Sequence, residues 1–136
     1  MSTKKNRRQW EDLGRLDPFW AMTGTNKFGA WNIEEFLQTG DNQVQDLLRD
    51  LSRFSYPERH ETALDFGCGV GRLERAFQNH FEHYVGLDIS APLIAKAREI
   101  HADRPRASFI ISAGATLPFA SDSFDLVHSW AVFQHI

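Results

Sequence analysis

The hydrophobic pattern changes its period in the middle of the chain, at residues 61–73. The apolar run from Thr62 to Phe66 has the length and composition of a buried parallel strand. Three glycines follow at every second position, and apolar residues then recur with the spacing of one helix face. The members of that predicted face are Leu73, Ala76, Phe77 and His80. The pattern therefore predicts a strand, a tight turn and a helix.

Three later segments also have the pattern of strands, at His83–Asp88, Ala107–Ser112 and 124–130. A helix is predicted between the first two of them, with Ser90 as its N-cap and Pro92 in its first turn. Strands that alternate with helices are typical of a doubly wound α/β fold with a parallel sheet. We expect four strands in the order 3-2-1-4.

The first 60 residues are rich in aromatic side chains and lack strand patterns. Asp17 and Pro18 predict a helix start. A second helix is predicted from its N-cap Asn32 to a stop at Thr39-Gly40, and a third from Asp41 onward. The basic N-terminal residues, predicted to be a solvated and frayed end, are Lys4, Lys5, Arg7 and Arg8.

So many aromatic rings need an apolar surface to cover. We therefore predict that residues 1–60 form a helical cap and that residues 61–136 form the α/β unit under it. Packing of individual rings against the sheet is an equally good alternative.

Composition narrows the classes of protein to consider. With 42% hydrophobic and 24% charged residues, the 136-residue chain is ordinary for a globular protein. The net charge of −3 does not indicate a nucleic-acid interface. No apolar run is long enough to span a bilayer, and the N-terminus lacks a signal-peptide core. A single cysteine, Cys68, is typical of a reducing compartment, so we expect a cytoplasmic protein without a membrane partner.

The glycine turn has the form D-x-G-x-G-x-G, with Asp65 two residues before Gly67. A dinucleotide-binding turn has G-x-G-x-x-G, and this chain has Arg72 at the position of the third glycine. A carboxylate at Asp65 would repel a pyrophosphate and would suit a ligand with a positive amino group. Asp88 follows the turn by roughly 20 residues, the offset at which an acidic residue binds ribose hydroxyls. The pattern predicts a nucleotide cradle and disfavours a dinucleotide.

Residues 64–71 resemble the first motif of the class I S-adenosylmethionine-dependent methyltransferases, of the type 11/25-like group. The segments Leu117–Phe119, Ser123–Val127 and Gln134-His135 are similar to later parts of the same family. The resemblance implies a Rossmann-like sheet, S-adenosylmethionine as the cofactor and methyl transfer as the activity. It also implies a small-molecule acceptor, whose identity and reacting atom stay open.

The resemblance assigns cofactor contacts to the carboxyl ends of the predicted strands. The predicted contacts are Asp65, Gly67, Cys68, Gly69, Gly71, Asp88, Ile89, Ala113, Gly114, Ser129 and Trp130. Asp65 and the loop amides would hold the methionine end, Asp88 the ribose and Ile89 an adenine face. Cys68 is expected to fill the tight turn rather than to act as a nucleophile. The family usually has an aspartate where Ala113 stands, so only backbone there could contact adenine.

Ser129 and Trp130 would face the sulfonium region. Trp130 would either make a cation–π contact with the sulfonium or pack in the core, and the sequence favours neither. Methyl transfer from a sulfonium needs no protein nucleophile, and it needs a general base only for a protonated acceptor. His135 is the candidate base, and no other catalytic residue is assigned. The remaining histidines lack companions at ligand spacing, so no metal site is predicted.

Three functions stay open: a methyltransferase, a binding or scaffold domain of the same fold, and an NAD-dependent oxidoreductase. Arg72 and Asp65 disfavour the last. The family's sheet has seven strands, whereas four are predicted here. We therefore expect an N-terminal part of a methyltransferase domain, inactive by itself, with its fourth strand as an exposed edge.

Overall fold

A computed structural model describes residues 3–24, 27–112 and 116–135. Three helices come first, and these are α1 (Thr3–Leu16), α2 (Pro18–Thr23) and α3 (Ile33–Ser52). The α/β unit follows as β1 (Thr62–Phe66), α4 (Glu74–Gln78), β2 (His83–Asp88), α5 (Ala91–Ile100), β3 (Ala107–Ile111) and β4 (Leu126–Ser129). A 3₁₀ turn at Phe133–His135 comes last.

The four strands are parallel and lie in the order β3-β2-β1-β4, which confirms the predicted topology. β1 is paired on both sides, so that Asp65 is in register with Gly86 of β2 and with His128 of β4. Because all strands run the same way, the turn after β1, the end of β2 and the end of β4 meet at one end of the sheet. We call this the carboxyl end of the sheet, where ligands bind in open α/β folds.

Two apolar clusters hold the helices against the sheet. The larger includes the buried residues Phe77, Tyr84, Ile94 and Phe109. The smaller includes Phe36, Leu37, Val70 and Leu93, with Trp10, Phe19, Met22 and Trp31 packed against it. Full burial of one such side chain contributes about 2 kcal/mol. The smaller cluster joins the three N-terminal helices, which we call the cap, to the turn after β1 and to α5.

α3 is one continuous helix, so the prediction of two helices that meet at Gly40 was wrong. Gly40 is buried, and a Cβ on it would lie 2.2 Å from the carbonyl oxygen of Arg72. The glycine therefore lets α3 approach the turn after β1, and it does not end the helix. Asp41, predicted as an N-cap, instead forms an ion pair with Arg75 of α4 at 2.5 Å. Asn32 caps α3 as predicted.

The chain is helical from Thr3, so the basic residues 4–8 do not fray as predicted, although Lys4, Lys5 and Arg8 are exposed as expected of a solvated segment. α1 packs against α2 and α5, and the carbonyl of Trp10 accepts a hydrogen bond from Ser90 Oγ at 3.2 Å. Asp17 begins α2 as predicted, because its Oδ1 accepts from the N–H groups of Phe19 and Trp20, each at 3.0 Å. The cap is thus tied to the start of α5.

Candidate functional site

The glycine loop, residues 67–71, lies at the carboxyl end of the sheet. Its three glycines have φ values from +55° to +80°, which residues with a Cβ rarely adopt. The amides of Gly67 and Cys68 both donate to the carbonyl of Leu87, at 2.7 and 3.0 Å. Backbone hydrogen bonds therefore fix the loop against the end of β2.

Asp88 is the last residue of β2 and faces the loop. Its Oδ2 accepts from the N–H of Gly69 at 2.8 Å, and its Oδ1 accepts from the N–H of Ser90 at 2.9 Å. Burial raises the pKa of this carboxyl group, and the backbone hydrogen bonds offset part of that effect. The amide of Ile89 is a third backbone donor to this carboxylate, which has about four acceptor sites, so acceptor capacity remains. Asp88 can therefore hold the loop and still accept hydrogen bonds from a ligand.

Asp65 lies near the end of β1 and is enclosed by the protein, at 3% exposed. Its Oδ2 accepts from the Tyr84 hydroxyl at 2.9 Å, and its Oδ1 lies 3.0 Å from Nδ1 of His128. Burial, and then the charge of Asp65, raise the pKa of the Tyr84 phenol, which stays a donor. Both oxygens of Asp65 thus have protein partners, and its direct contact with a ligand amino group stays a prediction.

Cys68 is buried inside the loop, where its thiol lies 3.6 Å from the carbonyl oxygen of Gly69. Burial, followed by the charges of Asp88 and Asp65, raises the pKa of the thiol. A protonated thiol is a poor nucleophile. This agrees with the expectation that Cys68 fills the turn.

Two side chains from other parts of the chain contact the loop. Met22 of α2 lies against Gly69, where a Cβ would be 2.4 Å from the Met22 sulfur. That sulfur accepts a hydrogen bond from the N–H of Val70 at 3.1 Å. Val132 lies against Gly67, where a Cβ would be 2.1 Å from Val132 Cγ2. Glycine at these two positions therefore allows Met22 and Val132 to approach the loop backbone closely. As a result, α2 and the segment after β4 border the loop.

The end of β4 also reaches this surface. Ser129 Oγ donates to the carbonyl of Phe66 at 3.0 Å, which ties β4 to β1. Trp130 is 64% exposed, so it is not a core residue in this structure. Ile89, next to Asp88, is half-buried.

His135 is exposed in the 3₁₀ turn, and its ring lies edge-on to Trp10 with centroids 5.3 Å apart. The contact joins the cap to the segment that follows β4. The predicted adenine contacts Ala113 and Gly114 lie outside the described residues.

Arg72 points from the loop toward α3. Its guanidinium donates to Thr39 Oγ1 at 3.0 Å and to Gln43 Oε1. Burial lowers its pKa, and the charge of Asp65 opposes that shift. A half-buried arginine that is hydrogen-bonded to α3 stands where a dinucleotide-binding loop has its third glycine.

Three residues that shape the site were not predicted from the sequence, namely Met22, Tyr84 and His128. Tyr84 and His128 are polar positions in apolar strands, and pairing with β1 brings both to Asp65. Polar residues inside three predicted strands were a signal for such a cluster. The sequence of one strand does not reveal which residues of the neighbouring strand it pairs with, so the partners could not be assigned. The contact of Met22 depends on how α2 docks, for which the sequence has no pattern.

Within residues 3–24, 27–112 and 116–135, no group of three or more His, Cys, Asp or Glu side chains is arranged to hold a metal ion. In the same ranges, no helix combines the length and the apolar character needed to cross a membrane.

The sequence has methyltransferase relatives. The profile of a methyltransferase-domain family matches residues 63–136. Phosphoethanolamine N-methyltransferase 2 of Caenorhabditis elegans is 33% identical over 134 residues, which cover 96% of this chain and 28% of the relative. An uncharacterized methyltransferase of Mycobacterium tuberculosis is 33% identical over 86 residues, which cover 63% of this chain and 34% of the relative.

Solved structures share the fold. Phosphoethanolamine N-methyltransferase 1 of Haemonchus contortus, in complex with phosphoethanolamine and S-adenosylhomocysteine, gives a TM-score of 0.67 at 20% identity. That match covers 95% of this chain and 26% of the other. The amino pentose methyltransferase CalS10 of Micromonospora echinaspora, with SAM bound, gives a TM-score of 0.55 at 23% identity. That match covers 74% of this chain and 42% of the other.

This chain spans less than half the length of each of these relatives. The family profile, which begins at the second residue of β1, nevertheless covers more than half of the chain. The chain therefore belongs to the methyltransferase-domain family.

Proposed function

We propose that these residues form the cofactor-binding part of an S-adenosylmethionine-dependent methyltransferase that acts on a small molecule. The observation that carries the proposal is the link between the glycine loop and Asp88. The carboxylate holds the amide of Gly69 and keeps lone pairs for ribose hydroxyls. Membership of the methyltransferase-domain family supports the proposal, as do the cofactors named for the solved structures.

The residues of the loop fit this cofactor. A Cβ at Gly67 or Gly69 would clash with Val132 or Met22, so glycine lets these side chains close over the loop. The loop amides already donate within the protein, so the loop would hold the methionine end through its shape, and Asp88 with Ile89 would hold the adenosine. Asp65 would favour the positive amino group through its charge, because its oxygens already have protein partners.

S-adenosylmethionine supplies a methyl group that is already activated on a sulfonium. The chain therefore has to bind and orient this donor and exclude water, and it needs no nucleophile of its own. Ser129 and the exposed ring of Trp130 would border the sulfonium, where an aromatic face attracts a cation. His135 is the candidate general base, and its contact with Trp10 would hold the imidazole near the cap.

Phosphoethanolamine is the first acceptor to test. It is named for the C. elegans relative, whose similarity extends through the cap to 96% of this chain. Because the chain spans 28% of that relative, we propose methyl transfer for the whole protein and cofactor binding for these residues. A cytoplasmic location stays a prediction.

Calorimetric titration of the chain with S-adenosylhomocysteine and with NAD tests the proposal. We expect the first ligand to bind and the second not to bind. Asp88→Ala should weaken S-adenosylhomocysteine binding by about 1.5 to 3 kcal/mol, the scale of lost hydrogen bonds to a charged group.

Asp125→Ala is the matched control. The Asp125 carboxylate also accepts from two backbone amides, those of Glu61 and Thr62 at 3.0 and 3.1 Å, but at the amino end of β1. We expect its affinity to match that of the wild type. Binding of NAD alone, or equal losses in the two variants, would contradict the proposal. A methylation assay on the whole protein separates an enzyme from a binding domain without turnover.

A further inference from the structure

A histidine and a glutamate are buried directly beneath the glycine loop. Nδ1 of His101 lies 2.9 Å from Oε2 of Glu74, and the two side chains are 3% and 0% exposed. Nε2 of His101 lies 3.2 Å from the carbonyl oxygen of Val70, inside the loop. Glu74 belongs to α4 and His101 ends α5. The pair therefore joins two crossover helices to the loop.

The geometry assigns the role of one ring nitrogen. A carbonyl oxygen only accepts, so Nε2 carries a hydrogen and donates it to Val70. The other ring nitrogen, Nδ1, faces the Glu74 carboxylate, whose two oxygens have no hydrogen-bond partner among the described residues. The buried carboxylate therefore depends on His101 for its polar contact.

The loop is built to admit this imidazole. A Cβ on Gly71 would lie 2.8 Å from His101 Nε2 and 2.8 Å from a ring carbon of Phe109. The peptide plane that contains the Val70 carbonyl also contains the N–H of Gly71, which donates to the carbonyl of Cys68 at 2.9 Å. Holding the carbonyl therefore sets the direction of this amide.

We propose that His101 and Glu74 are positioning residues, which hold the glycine loop in the hydrogen-bonded conformation that meets the cofactor. Neither is a catalytic residue, since both act through the Val70 carbonyl. The consequence for cofactor affinity rests on the proposed function, whereas the consequence for the loop does not.

Packing alone is the competing explanation. His101 stacks on Phe109 with ring centroids 5.3 Å apart, and phenylalanine at position 101 would keep this stack. If packing is the whole role, His101→Phe should leave the loop unchanged. Glu74→Leu and Glu74→Gln should then leave the loop equally unchanged, because the direction of the Val70 carbonyl would not depend on a polar partner for Nδ1.

The test is hydrogen exchange of the loop amides Gly69 and Gly71 relative to amides of β2. This ratio reports local opening of the loop, because a global loss of stability accelerates both sets. For His101→Phe we expect the ratio to rise about tenfold, the effect of one lost buried hydrogen bond. His80→Phe is the matched control at an exposed position, and its ratio should equal that of the wild type.

Two substitutions at Glu74 test the polar contact with Nδ1 and keep the inference decidable if His101→Phe does not fold. Glu74→Gln can donate to Nδ1 while Nε2 still donates to Val70, so it should preserve the wild-type ratio. Glu74→Leu leaves Nδ1 without a partner and should raise the ratio severalfold. Equal ratios for Glu74→Leu and Glu74→Gln would overturn the inference, as would an unchanged ratio in folded His101→Phe.

The same variants are then titrated with S-adenosylhomocysteine. We expect affinity to fall about tenfold in His101→Phe and to be retained in Glu74→Gln. If the wild-type chain does not bind this ligand, the proposed function fails, and the exchange ratios still decide whether the pair positions the loop.

Discussion

The ends of β1 and β2 lie side by side, and each has an aspartate, but the surroundings of the two carboxylates differ. Asp65 on β1 is bound by the side chains of Tyr84 and His128. Asp88 on β2 is bound by the backbone amides of Gly69 and Ser90. The first carboxylate therefore holds strands together, and the second holds the loop that would receive the ligand.

The difference follows from position along the strand. Asp65 is paired in register with strands on both sides, and its partner His128 lies against Phe77 of α4 with ring centroids 5.5 Å apart. Asp88 is the last residue of β2, beyond the part of the strand that is paired with β1. The carboxylate on a residue paired on both sides holds strands together, whereas Asp88, which is paired only with Ile111 of β3, stays available to a ligand.

Removal of the enclosed carboxylate should have the largest effect on stability. Asp65→Ala leaves Tyr84 and His128 buried without their acceptor, and we expect a loss of about 3 to 5 kcal/mol in the free energy of unfolding. Asp88→Ala should cost about 1 kcal/mol, since Asp88 is only half-buried and water can take the place of its carboxylate. Urea denaturation of both variants measures the difference. Equal losses would remove the distinction between the two carboxylates.

A side chain in the loop should have a smaller effect on stability and a specific effect on binding. Gly69→Val places a branched side chain at a φ of +55° against Met22. Gly24→Val is the control, because Gly24 has a φ of +58° and a Cβ there would meet no described atom within 4 Å.

Both valine variants should lose about 1 to 2 kcal/mol of stability from the left-handed backbone. Only Gly69→Val should lose S-adenosylhomocysteine binding in calorimetry, while its circular dichroism spectrum stays that of a folded chain. If Gly69→Val binds like Gly24→Val, the loop is only a turn.

The smallest effect expected is a difference in pH dependence. The pKa of Asp88 is raised by burial, so the folded state holds a proton that the unfolded state has lost. The contribution of Asp88 to stability should therefore decline as pH rises from the ordinary aspartate range through this raised pKa.

Asp125 should behave in the opposite way. The pKa of Asp125 is lowered, mainly by the hydrogen bond from the backbone N–H of Thr62. The contribution of Asp125 to stability is therefore lost as pH falls below the ordinary aspartate range. Denaturation midpoints measured against pH should become flatter just above the ordinary aspartate pKa in Asp88→Asn and below it in Asp125→Asn. The same direction of change in both variants would contradict the assignment of these shifts.

The strands and their caps were predictable because each has a local signal. β1 and β2 have the bounds predicted from the sequence, and Asp17, Asn32 and Ser90 cap the helices for which they were predicted. β3 ends one residue earlier than predicted, and β4 is shorter than 124–130. The strand order followed from alternation of strands and helices.

What the sequence did not reveal depends on contacts between distant segments. Gly40 has the local pattern of a helix stop, yet contact with Arg72 makes it a packing position inside α3. The partners of Asp65, the contact of Met22 with the loop and the burial of His101 with Glu74 also arise only once the elements are docked. Local patterns therefore located the loop and Asp88, but not the groups that hold them.

The most direct test of the account is an NMR titration of the chain with S-adenosylhomocysteine, read at the backbone amides. We predict that the amides of Gly69, Val70 and Ile89 shift on binding, while those of Thr62 and Asp125, at the amino end of the sheet, do not. Shifts confined to Thr62 and Asp125, or none at saturating ligand, would contradict the claim that the loop and Asp88 form the cofactor site.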